Sequence, residues 1–138
     1  MSTGHIPVSL QRRVRLRANE RCEYCRIAQV GQEATFHVDH VMPQAAGGVT
    51  SLQNLALACV SCSLRKGART TAVDPGTGDV TPLFHPRIHA WSDHFIGNVS
   101  GEILGLTAIG RATITSLSMN RVLAVAIRHD ERTRDRWP

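Results

Sequence analysis

All four cysteines of this 138-residue chain fall in two Cys-x-x-Cys pairs, Cys22-Glu-Tyr-Cys25 and Cys59-Val-Ser-Cys62. Two cysteines separated by two residues turn both sulfurs toward one ion on a tight knuckle. Two knuckles together supply the four thiolates of a tetrahedral zinc site. The other fates of these thiols are two disulfides or four separate buried side chains. Nothing in the chain resembles a signal peptide that would imply an oxidising compartment, so structural Zn2+ on Cys22, Cys25, Cys59 and Cys62 is the expectation. Such sites bind with apparent free energies of about 10–16 kcal/mol, enough for the ion to decide whether the domain folds at all. The 33 residues between Cys25 and Cys59 exceed what a minimal zinc ribbon uses, so the knuckles enclose a further element.

From Thr35 to Lys66 that region reads TFHVDHVMPQAAGGVTSLQNLALACVSCSLRK. Thr35 to Val38 alternates in β-forming residues and predicts a short strand that delivers Asp39 and His40 at its end. Pro43 stops the pairing, Gly47-Gly48 turns the chain, and Leu52 to Ala58 returns apolar. A carboxylate beside an imidazole suits phosphodiester hydrolysis. Asp39 can hold a divalent cation on the scissile phosphate, and neutral His40 can take a proton from the attacking water. An Asp-His dipeptide alone usually marks a turn; the order and spacing of the whole set distinguish this one. His37, two residues before Asp39, projects to the same face as Asp39, and a packed or solvated strand residue is its favoured reading over a metal contact.

The pattern CEYC, VDHVMP, GG, NLALAC and CVSCSLRKG resembles the HNH endonuclease family in its zinc-stabilised form, over roughly residues 10 to 70. The resemblance implies a ββα-metal fold, with two strands and a helix around one catalytic ion. It makes Asp39 a ligand of that ion, Mg2+ or Mn2+, and His40 the general base. Asn54 becomes the middle residue of the motif, fixing the loop and orienting His40 through its amide, and the products are a 5′-phosphate and a 3′-hydroxyl. There is one departure. In the family the residue after the last zinc cysteine is usually Asn or His, the second protein ligand of the catalytic ion, and here that place holds Ser63. Three readings stay open: Ser63 binds the ion directly or through water, another residue replaces it, or catalysis has been lost.

Charge points to a polyanionic partner. Residues 1–70 contain eight Arg and one Lys against three Glu and one Asp, whereas residues 71–138 balance seven Arg with seven acidic residues. The whole excess of +5 therefore sits in the half that carries the motif. Val8 to Ala18 predicts a basic helix, and Val60 to Ala68 a helix after the second knuckle that places Arg65, Lys66 and Arg69 for phosphate contacts. Beyond it, Asp74 to Asp79 predicts a turn between two short β segments. A stretch with three histidines, His85, His89 and His94, is the place to look for a replacement ligand. Phe95-Ile96 and Glu102 to Leu106 predict a hairpin, and Thr107 caps a helix over Ala108 to Met119. A last helix runs from about Arg121 to Arg134, with Val122, Leu123, Val125, Ala126 and Ile127 as the apolar face that closes the core.

The expected architecture is α+β, a ββα-metal core with a structural zinc site made of the four cysteines, an N-terminal basic helix and a C-terminal β-hairpin plus helices. One domain spans 1–138, with the core at 8–70 and an extension at 71–138 packed on it. The expected function is a metal-dependent endonuclease acting on DNA, with RNA open as a substrate. The alternative is a zinc-stabilised nucleic-acid-binding module without hydrolysis. A cytoplasmic monomer or homodimer with no membrane span completes the expectation.

Overall fold

A computed structural model describes residues 5–138, and residues 1–4 of the expected 1–138 unit lie outside the described residues. Helix α1, Val8–Arg17, buries Val14 and leaves Arg12 and Arg13 exposed. It is tied down by two of its own cations. Arg15 donates to the Phe36 carbonyl at 2.8 Å, and Arg17 donates to the Leu52 and Leu55 carbonyls, each at 2.7 Å. The basic face is thus partly consumed in fastening α1 to the strands that follow.

Strand β1, His37–His40, pairs antiparallel with β2, Leu55–Ala58, in the register His37 to Ala58 and His40 to Leu55. The strand expected at Thr35 to Val38 therefore begins two residues later and contains Asp39 and His40 rather than ending before them. Its burial alternates, with His37 and Asp39 half-buried and Val38 and His40 buried, while all four residues of β2 are buried. Helix α2, Val60–Lys66, follows at once. The first knuckle completes the layer from the other side: the Glu23 amide donates to the Leu57 carbonyl at 2.8 Å, and the Glu23 carboxylate accepts from the Leu57 amide at 2.8 Å.

The remainder forms two more hairpins and three helices. Strand β3, Thr71–Val73, pairs with β4, Val80–Pro82; α3, Trp91–His94, leads into β5, Phe95–Gly97, which pairs with β6, Ile103–Gly105. Helix α4, Ala108–Ser116, starts where the Thr107 hydroxyl accepts from the Gly110 amide. It stops short of the expected Met119, because the Met119 amide reaches back five residues to the Ile114 carbonyl and Ser118 adopts a φ of 47°.

Helix α5, Val122–Thr133, corrects the reading of its apolar face. Val122 is 88% and Leu123 65% exposed, whereas Ala124, Arg128 and Glu131 are buried. The buried guanidinium of Arg128 satisfies three acceptors that local sequence does not reveal: the Gly101 and Met119 carbonyls and the Asn120 side chain, at 2.6–3.1 Å. Among the described residues no helix is long and apolar enough to cross a membrane.

Candidate active site and metal centre

The four cysteines converge. All four Sγ atoms lie within 4.8 Å of one another and all four residues are buried. Each knuckle is shaped by an amide aimed at a sulfur: the Cys25 amide at Cys22 Sγ and the Cys62 amide at Cys59 Sγ, both 3.4 Å. Zn–S bonds of about 2.3 Å in a tetrahedron require sulfurs roughly 3.8 Å apart, and Cys25 and Cys59 Sγ are separated by 3.7 Å. Hydrogen bonding from the Cys22, Cys25 and Cys62 thiols pulls the Cys59 thiol far below its ordinary value, while the same cluster, with burial, pushes Cys25 and Cys62 up. Four soft donors crowded so closely fit a dication that relieves their mutual repulsion.

The loop between β1 and β2 holds the candidate base. His40 is 5% exposed. Its Nε2 lies 2.8 Å from the Thr50 hydroxyl, and its Nδ1 is buried with no hydrogen-bond partner among the described residues. An Nε2–H that donates to Thr50 leaves a lone pair on Nδ1; the opposite tautomer would bury an N–H without an acceptor, the rarer arrangement. Burial lowers the His40 pKa, and the neighbouring Asp39 charge opposes that shift. The imidazole is therefore held in the neutral form that a base requires.

Asn54 does not reach His40. Its side-chain oxygen accepts from the Met42 amide at 2.8 Å, and its side-chain nitrogen donates to the Met42 and Val49 carbonyls at 3.0 and 2.9 Å. It fixes the loop, as the resemblance implies, but orientation of the ring passes to Thr50, which sequence reasoning missed. The Gly-Gly pair serves the same network. Gly47 takes a φ of 92°, and a Cβ on Gly48 would sit 1.8 Å from the Met42 carbonyl oxygen. The only sequence signal for Thr50 was a hydroxyl residue inside the loop that closes over His40.

Ser63 faces β1. It is 2% exposed, and its Oγ lies 2.8 Å from Nδ1 of His37. The residue expected to be packed or solvated is thus joined to the position expected to hold the ion. Asp39 lies on the same half-buried side of the strand as His37, and its charge raises both the His40 and the Lys66 pKa against the lowering effect of burial.

The three cations of α2 and its C-terminal turn separate. Lys66 is 5% exposed, and its ammonium donates to the Val41 carbonyl at 2.8 Å, pinning the helix to the chain just after His40. It is not a free phosphate grip, because its charge is desolvated and already bonded. Arg65 and Arg69 are exposed and touch the turn after α4 through Ser118 Oγ and the Ser116 carbonyl, at 3.4 and 3.3 Å.

Two of the three histidines of the extension spend Nδ1 on backbone amides, and the third is held by a hydroxyl. Nδ1 of His85 accepts from the Arg87 amide at 3.1 Å, Nδ1 of His89 accepts from the His85 amide at 3.0 Å, and Nδ1 of His94 lies 2.6 Å from the Thr107 hydroxyl. The His89 and His94 rings pack at 5.0 Å beside Phe84. Among the described residues the cysteines form the only group of three or more His, Cys, Asp or Glu side chains placed to hold an ion. This segment instead braces the first knuckle. Arg87 pairs with Glu23, Trp91 Nε1 donates to the Tyr24 carbonyl at 2.7 Å, and Arg26 lies over the Trp91 ring.

No curated protein and no solved structure gives a match to the chain. Residues 22–69, the stretch that gathers the four cysteines, Asp39, His40, Asn54 and Ser63, match the family model described as HNH endonuclease.

Proposed function

We propose that this protein is a metal-dependent endonuclease that hydrolyses phosphodiester bonds of nucleic acid, DNA first, with zinc on Cys22, Cys25, Cys59 and Cys62 as its structural ion. The observation that carries the reading is His40. A neutral, buried imidazole is held at Nε2 by Thr50 and has Nδ1 without a partner among the described residues, next to the Asp39 carboxylate, inside the HNH-matched segment. A buried polar atom left unpaired in a native fold calls for a role, and proton abstraction is the role this atom suits.

Asp39 would hold a divalent cation, Mg2+ or Mn2+, whose charge draws electron density from the scissile phosphate and stabilises the departing 3′ oxygen. His40 takes the proton of the attacking water at Nδ1, and Thr50 accepts from Nε2–H and so stabilises the imidazolium that results. Asn54, Gly48 and Lys66 hold the loop so that the ring keeps its position. The exposed guanidinium groups of Arg12, Arg13, Arg65 and Arg69 would contact backbone phosphates, which positions the polymer without reading bases.

The test uses zinc-loaded protein, supercoiled plasmid, and Mg2+ or Mn2+ with and without chelator. Metal-dependent nicking that His40→Ala abolishes, with zinc content unchanged, is expected. A gel shift without nicking under every metal would leave a binding module in place of an enzyme.

A further inference from the structure

We infer that His37 is a ligand of the catalytic cation together with Asp39, and that Ser63 acts as the outer partner of His37 instead of binding the cation itself. The inference rests on the reading of Asp39 as a cation site given above.

His37 and Asp39 are alternate residues of β1 and share its half-buried side, whereas Val38 and His40 are the buried pair. Alternate residues of a strand stand roughly 7 Å apart at Cα, a spacing from which an imidazole and a carboxylate both reach one ion. Among the described residues, the Asp39 carboxylate accepts no hydrogen bond, and the His37 ring makes one, to Ser63.

The form of that bond is informative. A histidine that ligates a cation through one ring nitrogen almost always donates the other N–H to a fixed acceptor, which sets the tautomer and aims the ring. Ser63 Oγ, 2% exposed and anchored in α2, is such an acceptor. With Nδ1–H donating to Ser63, the lone pair of His37 is on Nε2, which no group of the described residues uses.

Side-chain size agrees with this division. Ser63 is too short for its hydroxyl to serve as the main ligand from the helix, and a neutral hydroxyl is a weak one. The long side chain comes from the opposing strand instead, and its ring spans the gap to the helix hydroxyl. The donor set becomes one imidazole and one carboxylate, which suits Mn2+ and later first-row cations better than Mg2+.

The probe is Mn2+, added to the full-length protein with its cysteine site filled by zinc and followed by electron paramagnetic resonance. In the unmutated protein, pulsed spectra of bound Mn2+ should show a directly coordinated imidazole nitrogen. That signal should persist in His40→Ala and vanish in His37→Ala. Mn2+ affinity should fall about a hundredfold in His37→Ala and about tenfold in Ser63→Ala, the usual range for an outer partner. Mn2+ that binds in an Asp39-dependent manner without a coordinated nitrogen overturns the His37 assignment alone. Mn2+ binding that ignores Asp39→Ala overturns the nuclease site beneath it. Because the coordinated nitrogen is read in the unmutated protein, its absence there overturns the assignment even where a variant misfolds.

Discussion

Two stretches of this chain are rich in histidine, and they differ in what holds most of their rings. In β1, each ring is held at one nitrogen by a hydroxyl: His37 by Ser63 and His40 by Thr50, both at 2.8 Å. A side-chain hydroxyl can accept from the ring and leave the second nitrogen with its lone pair. In the segment from His85 to His94, two of the three rings accept backbone amides at Nδ1. A neutral imidazole that accepts at one nitrogen carries its proton on the other and has no lone pair to offer a cation or a water proton. The teaching is that histidine density marks neither region as a site; the partner that holds each ring does.

The sharpest way to break this contrast is to remove one ring from each region. His40→Ala should lower kcat for plasmid nicking by about a thousandfold, within the span that general bases supply, while His89→Ala should leave nicking within a few-fold of the unmutated protein. Equal losses would place the extension inside the chemistry. Next in size is the brace. Arg87→Met leaves the Glu23 carboxylate buried without its cation, beside the amide of Leu57. Breaking a buried pair from one side should cost about 3 kcal/mol, read as a lowered urea midpoint. The same substitution should leave the zinc content at one ion per chain, because Arg87 touches Glu23 and the Leu55 carbonyl and none of the four sulfurs.

Much of this contrast was readable from sequence, and the unread part has a common cause. The knuckles, the Asp39-His40 pair, both later hairpins and the Thr107 cap rest on local spacing, and local spacing survives folding. The roles of Thr50, Ser63 and Lys66 depend on which chain segment lies opposite them. Lys66 reads as a solvated cation on a basic helix until the Val41 carbonyl, 25 residues away, is seen to take its ammonium. Arg128 likewise reads as the end of an apolar stripe until the carbonyls of Gly101 and Met119 draw it inward. Asn54 reads as the residue whose amide orients His40, and its side chain instead meets the Met42 amide and the Met42 and Val49 carbonyls, because an amide has several donors and acceptors and sequence does not rank them.

Thr50 tests the contrast at smaller amplitude. Thr50→Val keeps the branched shape and removes the oxygen that holds Nε2 of His40. If the ring is then free to choose its tautomer, kcat should fall about tenfold with KM unchanged, in keeping with the loss of one orienting partner. Thr50→Ser should restore most of the rate, since the hydroxyl returns. A loss that Thr50→Ser does not repair would mean that the methyl packs the loop and that the hydroxyl does not set the ring.

The smallest effect concerns acid stability and separates the regions by titration. Burial lowers the pKa of His85 and His89, and each also feels a neighbouring imidazole, His89 for the first and His94 for the second. A histidine with a lower pKa folded than unfolded binds fewer protons in the folded state. Its contribution is therefore complete above the unfolded value, about 6.5, and declines as pH falls through it. His40 has the same sign. Asp74 acts later on the same path: Arg111 and then the Gly76 amide hold its carboxyl well below the usual range, so its contribution is lost only as pH drops under the ordinary carboxylate value, near 4. Urea midpoints measured from pH 7.5 downward should decline in two stages, and His89→Gln should shallow the first stage while Asp74→Asn shallows the second. If His89→Gln left the first stage intact, its decline would belong to His40 and His85, and His89 would not be a ring that folding keeps neutral.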